Sequence, residues 1–258
     1  LVEQYDKISP FKVIAGPCSV ENKNQIDMTA TWVSNFYATH LRGGVFRAGT
    51  YPGSSFGYVE ESLIADFAAA AEENGLKCVI EVLDYGESEL NLVKRYADCF
   101  QVGCRSMQNY TLLHKLAELN NPIFLKRHPG ATLDEWLGAA EHILSVNPDA
   151  DITLIERGSS THANHVRWDL SISMIPAVKS ITNIPIVVDA SHGTGRWDLV
   201  EPMTLAGVAA GADGVLIETH PDPTKSLSDA DQAISFDGFE ILMKKVVKLR
   251  QMLNEGGL

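Results

Sequence analysis

A chain of 258 residues, 45% of them hydrophobic, can bury a substantial core as one α/β barrel or as two ordinary domains. Its net charge of −12 and pI near 5.1 argue against a nucleic-acid or anionic-membrane surface, which needs a sizeable positive face. No run approaches the roughly 20 apolar residues of a membrane span, and no basic stretch followed by an apolar run opens the chain. The four cysteines, Cys18, Cys78, Cys99 and Cys104, form no CxxC pair, so a soluble protein in a reducing, cytoplasmic setting is expected.

In chain order the candidate strands are KVIAG at 12–16, LRGGVFR at 41–47, KCVIEV at 77–82, CFQVG at 99–103, PIFLKR at 122–127, ITLIER at 152–157, PIVVDA at 185–190 and GVLIET at 214–219. These eight β-branched or aromatic runs alternate with amphipathic or alanine-rich stretches such as Glu60 to Asn74, Leu133 to Leu144 and Leu199 to Ala210. Thr132 before LDEW and Asp198 before LVEP are expected helix caps, and a last helix is expected from about Phe236 to Asn254. No Pro/Gly/Ser-rich linker divides the chain, and no GxGxxG follows the first strand as a doubly wound sheet would ask. The pattern predicts one (β/α)8 (TIM) barrel over residues 1–258, with a short N-terminal extension and no separate regulatory domain.

Such a barrel forms its active site at the C-terminal ends of the strands. There the sequence places Cys18, Arg47, Glu81, Arg105, Lys126 with Arg127, Arg157, Asp189 with His192, and Glu218. Any one of them reads as an ordinary solvated loop residue. Together they do not, because a ring of cations around one mouth repels itself unless anions fill it, and arginine forks match phosphate or carboxylate. Cys18, His192 and Glu218 follow strands one, seven and eight, neighbours in a closed barrel, and Asp229 lies in the loop beyond. A thiolate, an imidazole and two carboxylates suit Mn, Fe, Co or Zn better than an all-oxygen Mg or Ca site. Taken singly, Cys18 reads as a small buried residue and His192 as a hydrogen-bonded loop histidine; Cys78, Cys99 and Cys104 are read as core.

Around these positions stand IAGPCSVE, LRGG, GCRSMQNY, FLKR, IERG, VVDASHGTGRWDL and IETHPDPTKSLSDADQAI, in that order over almost the whole chain. In them the chain resembles the metal-dependent 3-deoxy-7-phosphoheptulonate (DAHP) synthases, in the branch of short single-domain enzymes. The resemblance implies condensation of phosphoenolpyruvate with erythrose 4-phosphate and water to DAHP and phosphate, the first step of aromatic amino acid (shikimate) biosynthesis. It also implies a divalent metal ion and a homo-oligomer, dimer or tetramer. Cys18, His192, Glu218 and Asp229 fall on the family's metal ligands, Arg105, Lys126 and Arg157 on its contacts to phosphoenolpyruvate, and Arg42 on a further arginine contact. Glu81, in a segment similar to the family's TEV, and Arg127, beside Lys126, are expected among the substrate-binding residues. Catalysis is expected to rest on Lys126 and on the ligands Cys18 and His192. Lys126, among other cations and so with a lowered pKa, would give a proton to the nascent alkoxide or assist the water. His192 would need an acceptor for its second nitrogen.

The chain departs from the family where the second strand exits. In place of KPRTS stands RAGTY: Arg47 at the lysine, Ala48 at the proline, Gly49 at the arginine, with Thr50 kept. Arg47 and Thr50 are expected to contact the aldose. The cation lost at Gly49 would be replaced by Arg47 itself, by Arg167 or Arg196, or by backbone N–H groups of PGSSFGY with Gly53 and Gly57 permitting close approach; otherwise the aldose differs. Ala190 replaces a proline and Trp197 a basic residue. The alternatives are a 3-deoxy-octulosonate 8-phosphate synthase using arabinose 5-phosphate, a Schiff-base aldolase with Lys126 as the amine, and a non-catalytic relative. Three local features also have purely architectural readings: Pro17 fixing a turn, Ser19 capping the first helix, and Gly43 with Gly44 permitting tight packing. The short N-terminus predicts an enzyme that aromatic amino acids do not inhibit.

Overall fold

The computed structural model describes residues 1–7, 9–46, 59–84 and 86–255. Eight strands, β1 (Lys12–Gly16), β2 (His40–Gly43), β3 (Lys77–Val82), β4 (Cys99–Val102), β5 (Ile123–Lys126), β6 (Ile152–Glu156), β7 (Ile186–Asp189) and β8 (Gly214–His220), pair in parallel in chain order. β1 also pairs with β8, from Lys12↔Gly214 to Gly16↔Glu218, and this closes the barrel. Outside lie α1 (Lys23–Asn35), α2 (Glu61–Glu73), α3 (Glu87–Tyr96), α4 (Tyr110–Ala117), α5 (Leu133–Val146), α6 (Met174–Lys179), α7 (Ala190–Thr194), α8 (Trp197–Ala209) and α9 (Phe236–Glu255). A two-residue strand, β9 (Ile234–Ser235), pairs with Thr219 and His220 beyond the barrel rim.

The expected strands match to within a few residues, because runs buried on both faces are continuously apolar and announce themselves. LRGGVFR is the exception, since β2 ends at Gly43. There the ladder leaves β3, and Gly44 N–H donates to Cys18 O at 3.0 Å. A Cβ at Gly44 would stand 2.6 Å from that same carbonyl, so the close packing read for this glycine is what the backbone requires.

α5 shows how sequence sets a helix. Thr132 and Glu135 form a capping box, and Trp136, Ala139, Ala140, Ile143 and Leu144 bury one face at helical spacing. Two expected caps are corrected. α1 is capped by Asn22, whose side chain accepts from Gln25 N–H, while Ser19 Oγ meets Ser228 Oγ. α8 begins at Trp197, so Asp198 lies inside its first turn; its carboxylate takes the Arg196 guanidinium at 2.7 Å.

Strand parity positions the site. Side chains alternate along each strand, so every second residue enters the barrel. Ile14, Val79, Cys99, Phe124, Ile155, Val187 and Leu216 fill the interior as a separate apolar cluster. One step further along the same rows come Arg42, Glu81, Gln101, Lys126, Arg157, Asp189 and Glu218. The barrel is thus an apolar plug under a layer of charge, and the opposite parity packs against the helices.

Candidate active site

Above the plug opens a cavity of about 550 Å³, walled by the strand exits. Cys18, Arg42, Glu81, Arg105, Lys126, Arg157, His192 and Asp229 all line it. Glu218 lies beneath it, fully buried.

On the β1–β8 side, ligand-type atoms of Cys18, Glu218 and Asp229 lie within 4.8 Å of one another. Cys18 Sγ is 3.0 Å from Asp229 Oδ2. His192 reaches the same group through Nε2, 3.1 Å from Glu218 Oε1. Its Nδ1 lies 3.0 Å from Asp189 Oδ1, which supplies the acceptor expected for the second nitrogen and leaves Nε2 facing the cluster. Arg42 Nη1 donates to Glu218 Oε1 at 2.7 Å and to Pro17 O at 2.8 Å; Gln232 Nε2 donates to Glu218 Oε2 at 2.5 Å. Burial alone would raise the Glu218 carboxyl, but His192, Arg42 and these hydrogen bonds hold it far below the usual carboxylate range. Asp229 adopts φ 49°, a left-handed backbone that aspartate tolerates better than most residues and that is often found at functional sites. The donor set fits a borderline divalent ion: two carboxylates, a thiol and an imidazole nitrogen converge here.

Across the mouth lie the cations. Lys126 Nζ donates to Asp189 Oδ2 at 3.0 Å, so the lysine sits beside a carboxylate as well as arginines. Burial would raise the Asp189 carboxyl, yet His192 and Lys126 outweigh it and keep it strongly depressed. Arg157 is 4% exposed, and its guanidinium forms no hydrogen bond or ion pair with any described residue. The Trp168 ring lies 5.4 Å from its Cζ. Gly158, at φ 99°, leaves room for Trp168 Cβ, 2.6 Å from where its own Cβ would stand. Glu81 Oε2 accepts from Gln101 Nε2 at 2.7 Å.

A profile of the DAHP synthetase I family matches residues 7–255. The phospho-2-dehydro-3-deoxyheptonate aldolase of Thermotoga maritima is 40% identical over 243 residues, covering 94% of this chain and 71% of that one. The chain belongs to the DAHP synthetase I family. The crystal structure of a Thermotoga maritima phospho-2-dehydro-3-deoxyheptonate aldolase (DAHP synthase) superposes with a TM-score of 0.89 over 94% of this chain and 70% of that one. A truncated form of 3-deoxy-D-arabino-heptulosonate 7-phosphate synthase from the same organism is 38% identical and gives 0.86, over 94% and 87%. A 2-dehydro-3-deoxyphosphooctonate aldolase of Desulfotalea psychrophila is 26% identical, over 95% and 92%. Membership makes the chain an enzyme of the DAHP synthase type, a carbon–carbon bond-forming transferase. No helix among the described residues is long and apolar enough to cross a membrane.

Within this DAHP synthetase I site one expectation is corrected. Arg127 follows Lys126 and therefore has the opposite parity. It points away from the cavity, with Nε 2.6 Å from Glu156 Oε2, Nη2 2.8 Å from Glu156 Oε1 and Nη1 donating to Ala131 O at 3.0 Å. Its neighbour is Trp136 of α5, and it is 1% exposed. Of the described cations weighed as substitutes at the mouth, Arg167 lines the cavity, 3.6 Å from Asp229 Oδ1, whereas Arg196 is paired with Asp198 outside it. Arg47, Thr50, Gly53 and Gly57 lie outside the described residues. Sequence reasoning missed Gln232, Trp168 and His128. Parity identifies His128, two residues beyond Lys126; Gln232 and Trp168 sit in loops, where no periodicity points to them.

Proposed function

We propose that the chain joins phosphoenolpyruvate to erythrose 4-phosphate, with a divalent transition ion held by Cys18, His192, Glu218 and Asp229. Arg157 carries this reading: a buried guanidinium that lies against an aromatic ring and borders an open cavity is prepared for an anion from outside the chain. Arg105 and Lys126 border the same cavity, so a doubly anionic donor finds several cations at once. In the reaction the donor's methylene carbon bonds to the aldehyde carbon, water oxygen bonds to the enol carbon, the bond to phosphate breaks, and the former aldehyde oxygen takes a proton. A bound divalent ion supplies Lewis acidity for the aldehyde oxygen. Arg105, Lys126 and Arg157 hold the two substrates at one mouth, replacing an encounter with a fixed approach. Asp189 anchors Lys126 Nζ and His192 Nδ1 together, so one carboxylate orients the proposed proton donor and the proposed ligand. Arg42 balances the charge of Glu218 from below.

The reading is tested by supplying phosphoenolpyruvate with a panel of aldoses, with and without a chelator, and following phosphate release. Erythrose 4-phosphate is expected to give the highest kcat/KM, with activity abolished by chelation and restored by one of Mn, Fe, Co or Zn. A preference for arabinose 5-phosphate would transfer the assignment to the octulosonate class. We also infer a cytoplasmic homo-oligomer: no disulfide joins the four cysteines, and Trp197 and Ile241 are 64% and 51% exposed on α8 and α9. Light scattering reads the subunit number.

A further inference from the structure

The turn after β5 is clamped from several sides. His128 N–H donates to Met107 Sδ at 3.2 Å, Ala131 N–H to His128 O at 2.9 Å, and Ser160 N–H to Pro129 O at 2.9 Å. Arg127, locked on Glu156, donates to Ala131 O. The imidazole is fixed as well, since its Nδ1 accepts from Gly130 N–H at 3.1 Å. A ring nitrogen that accepts an N–H carries no proton, so the ring's own N–H donor is Nε2.

His128 borders the site. Phe124 and Lys126 enter the barrel, and His128 continues their row about 6–7 Å nearer solvent. His128 lines the cavity, between the β4 exit that carries Arg105 and the β6 exit that carries Arg157. In a closed ring of eight strands β5 stands opposite β1, so His128 faces the Cys18, Glu218 and Asp229 cluster from across the mouth. A donor substrate that turns its methylene carbon toward that cluster turns its phosphate and carboxylate away from it, toward the exits of β4, β5 and β6.

We infer that His128 Nε2–H donates to the phosphate group of phosphoenolpyruvate and, after the bond to the enol carbon breaks, to inorganic phosphate before it leaves. His128 is a substrate-binding residue specific for the leaving group. The inference rests on phosphoenolpyruvate being the donor.

The test uses the whole chain with its metal, comparing wild type, His128→Ala and His128→Gln, whose amide N–H replaces the Nε2 donor. KM for phosphoenolpyruvate and the inhibition constant for inorganic phosphate should both rise about tenfold in His128→Ala. His128→Gln should restore most of each, with the KM of the aldose and the Tm unchanged. A shift confined to the aldose, equal shifts in both substrates together with a lower Tm, or no shift would overturn the inference. Calorimetric titration of inorganic phosphate separates the two readings. If wild type releases no phosphate from phosphoenolpyruvate with any aldose, the proposed reaction fails. Weaker phosphate binding in His128→Ala would still support the histidine, and unchanged binding would sink it.

Discussion

Arg127 and Arg157 leave the ends of neighbouring strands, both are almost fully buried, and their surroundings are opposite. Arg127 spends its donors inside the chain, on both oxygens of Glu156, on Ala131 O and on Ser159 Oγ. Arg157 spends none on any described residue and leans on Trp168 at the cavity wall. A buried guanidinium must be satisfied somewhere. Where the chain satisfies it, the cation is architecture; where it does not, the proposed partner is an anion from solution. The residue type is the same, and one step of strand parity separates the roles.

The contrast breaks first at Arg127. Arg127→Met leaves Glu156 as a buried, unpaired carboxylate and is expected to cost about 3–5 kcal/mol of stability. Urea denaturation measures it, and adding Glu156→Leu should recover most of the loss. The surviving folded fraction should keep a KM for phosphoenolpyruvate within about threefold of wild type, allowing for the His128 turn that Arg127 supports. Arg157→Met should behave inversely: kcat/KM for phosphoenolpyruvate falls on the order of 10²-fold, while stability is unchanged or higher because a buried, unmatched charge is gone. A Tm loss in Arg157→Met as large as that in Arg127→Met would erase the distinction.

An effect that leaves the site untouched lies at the other end of the barrel. His40 is pushed down to about 4 by burial first, with Lys12 and Lys77 adding to the shift and Asp98 opposing it. The unfolded imidazole, near 6.5, binds a proton that the folded one refuses. Its stabilisation is therefore complete above the unfolded value and is lost as pH falls from there toward the folded one, by at most about 3 kcal/mol. His40→Gln should flatten the stability profile between those values without altering the KM of phosphoenolpyruvate. A profile as steep as wild type's would place the acid sensitivity elsewhere.

Much of this was readable from residues in order. KCVIEV is β3 to the residue, Thr132 caps α5 as expected, and residues 18, 42, 81, 105, 126, 157, 192 and 229 stand around one cavity. Part of the error was readable too. Thr153, Ile155 and Arg157 share one face of β6, which leaves Glu156 facing outward at the level of Arg127 and marks the two as partners. The caps of α1 and α8 failed for a local reason: the helices start a few residues away from where the polar residues suggested, and Asp198 met Arg196 instead.

Alternation of apolar runs and amphipathic stretches, each with its own period, was enough to specify an eightfold barrel and to say which end holds the chemistry. Closure of that barrel brought Cys18 beside Asp229, while the loops after β8 and β6 placed Gln232 on Glu218 and set Trp168 against Arg157. The first contact joins opposite ends of the chain, and the other two depend on loops that obey no period. Whether a charge found its partner within the fold or was left facing the cavity was therefore decided in three dimensions.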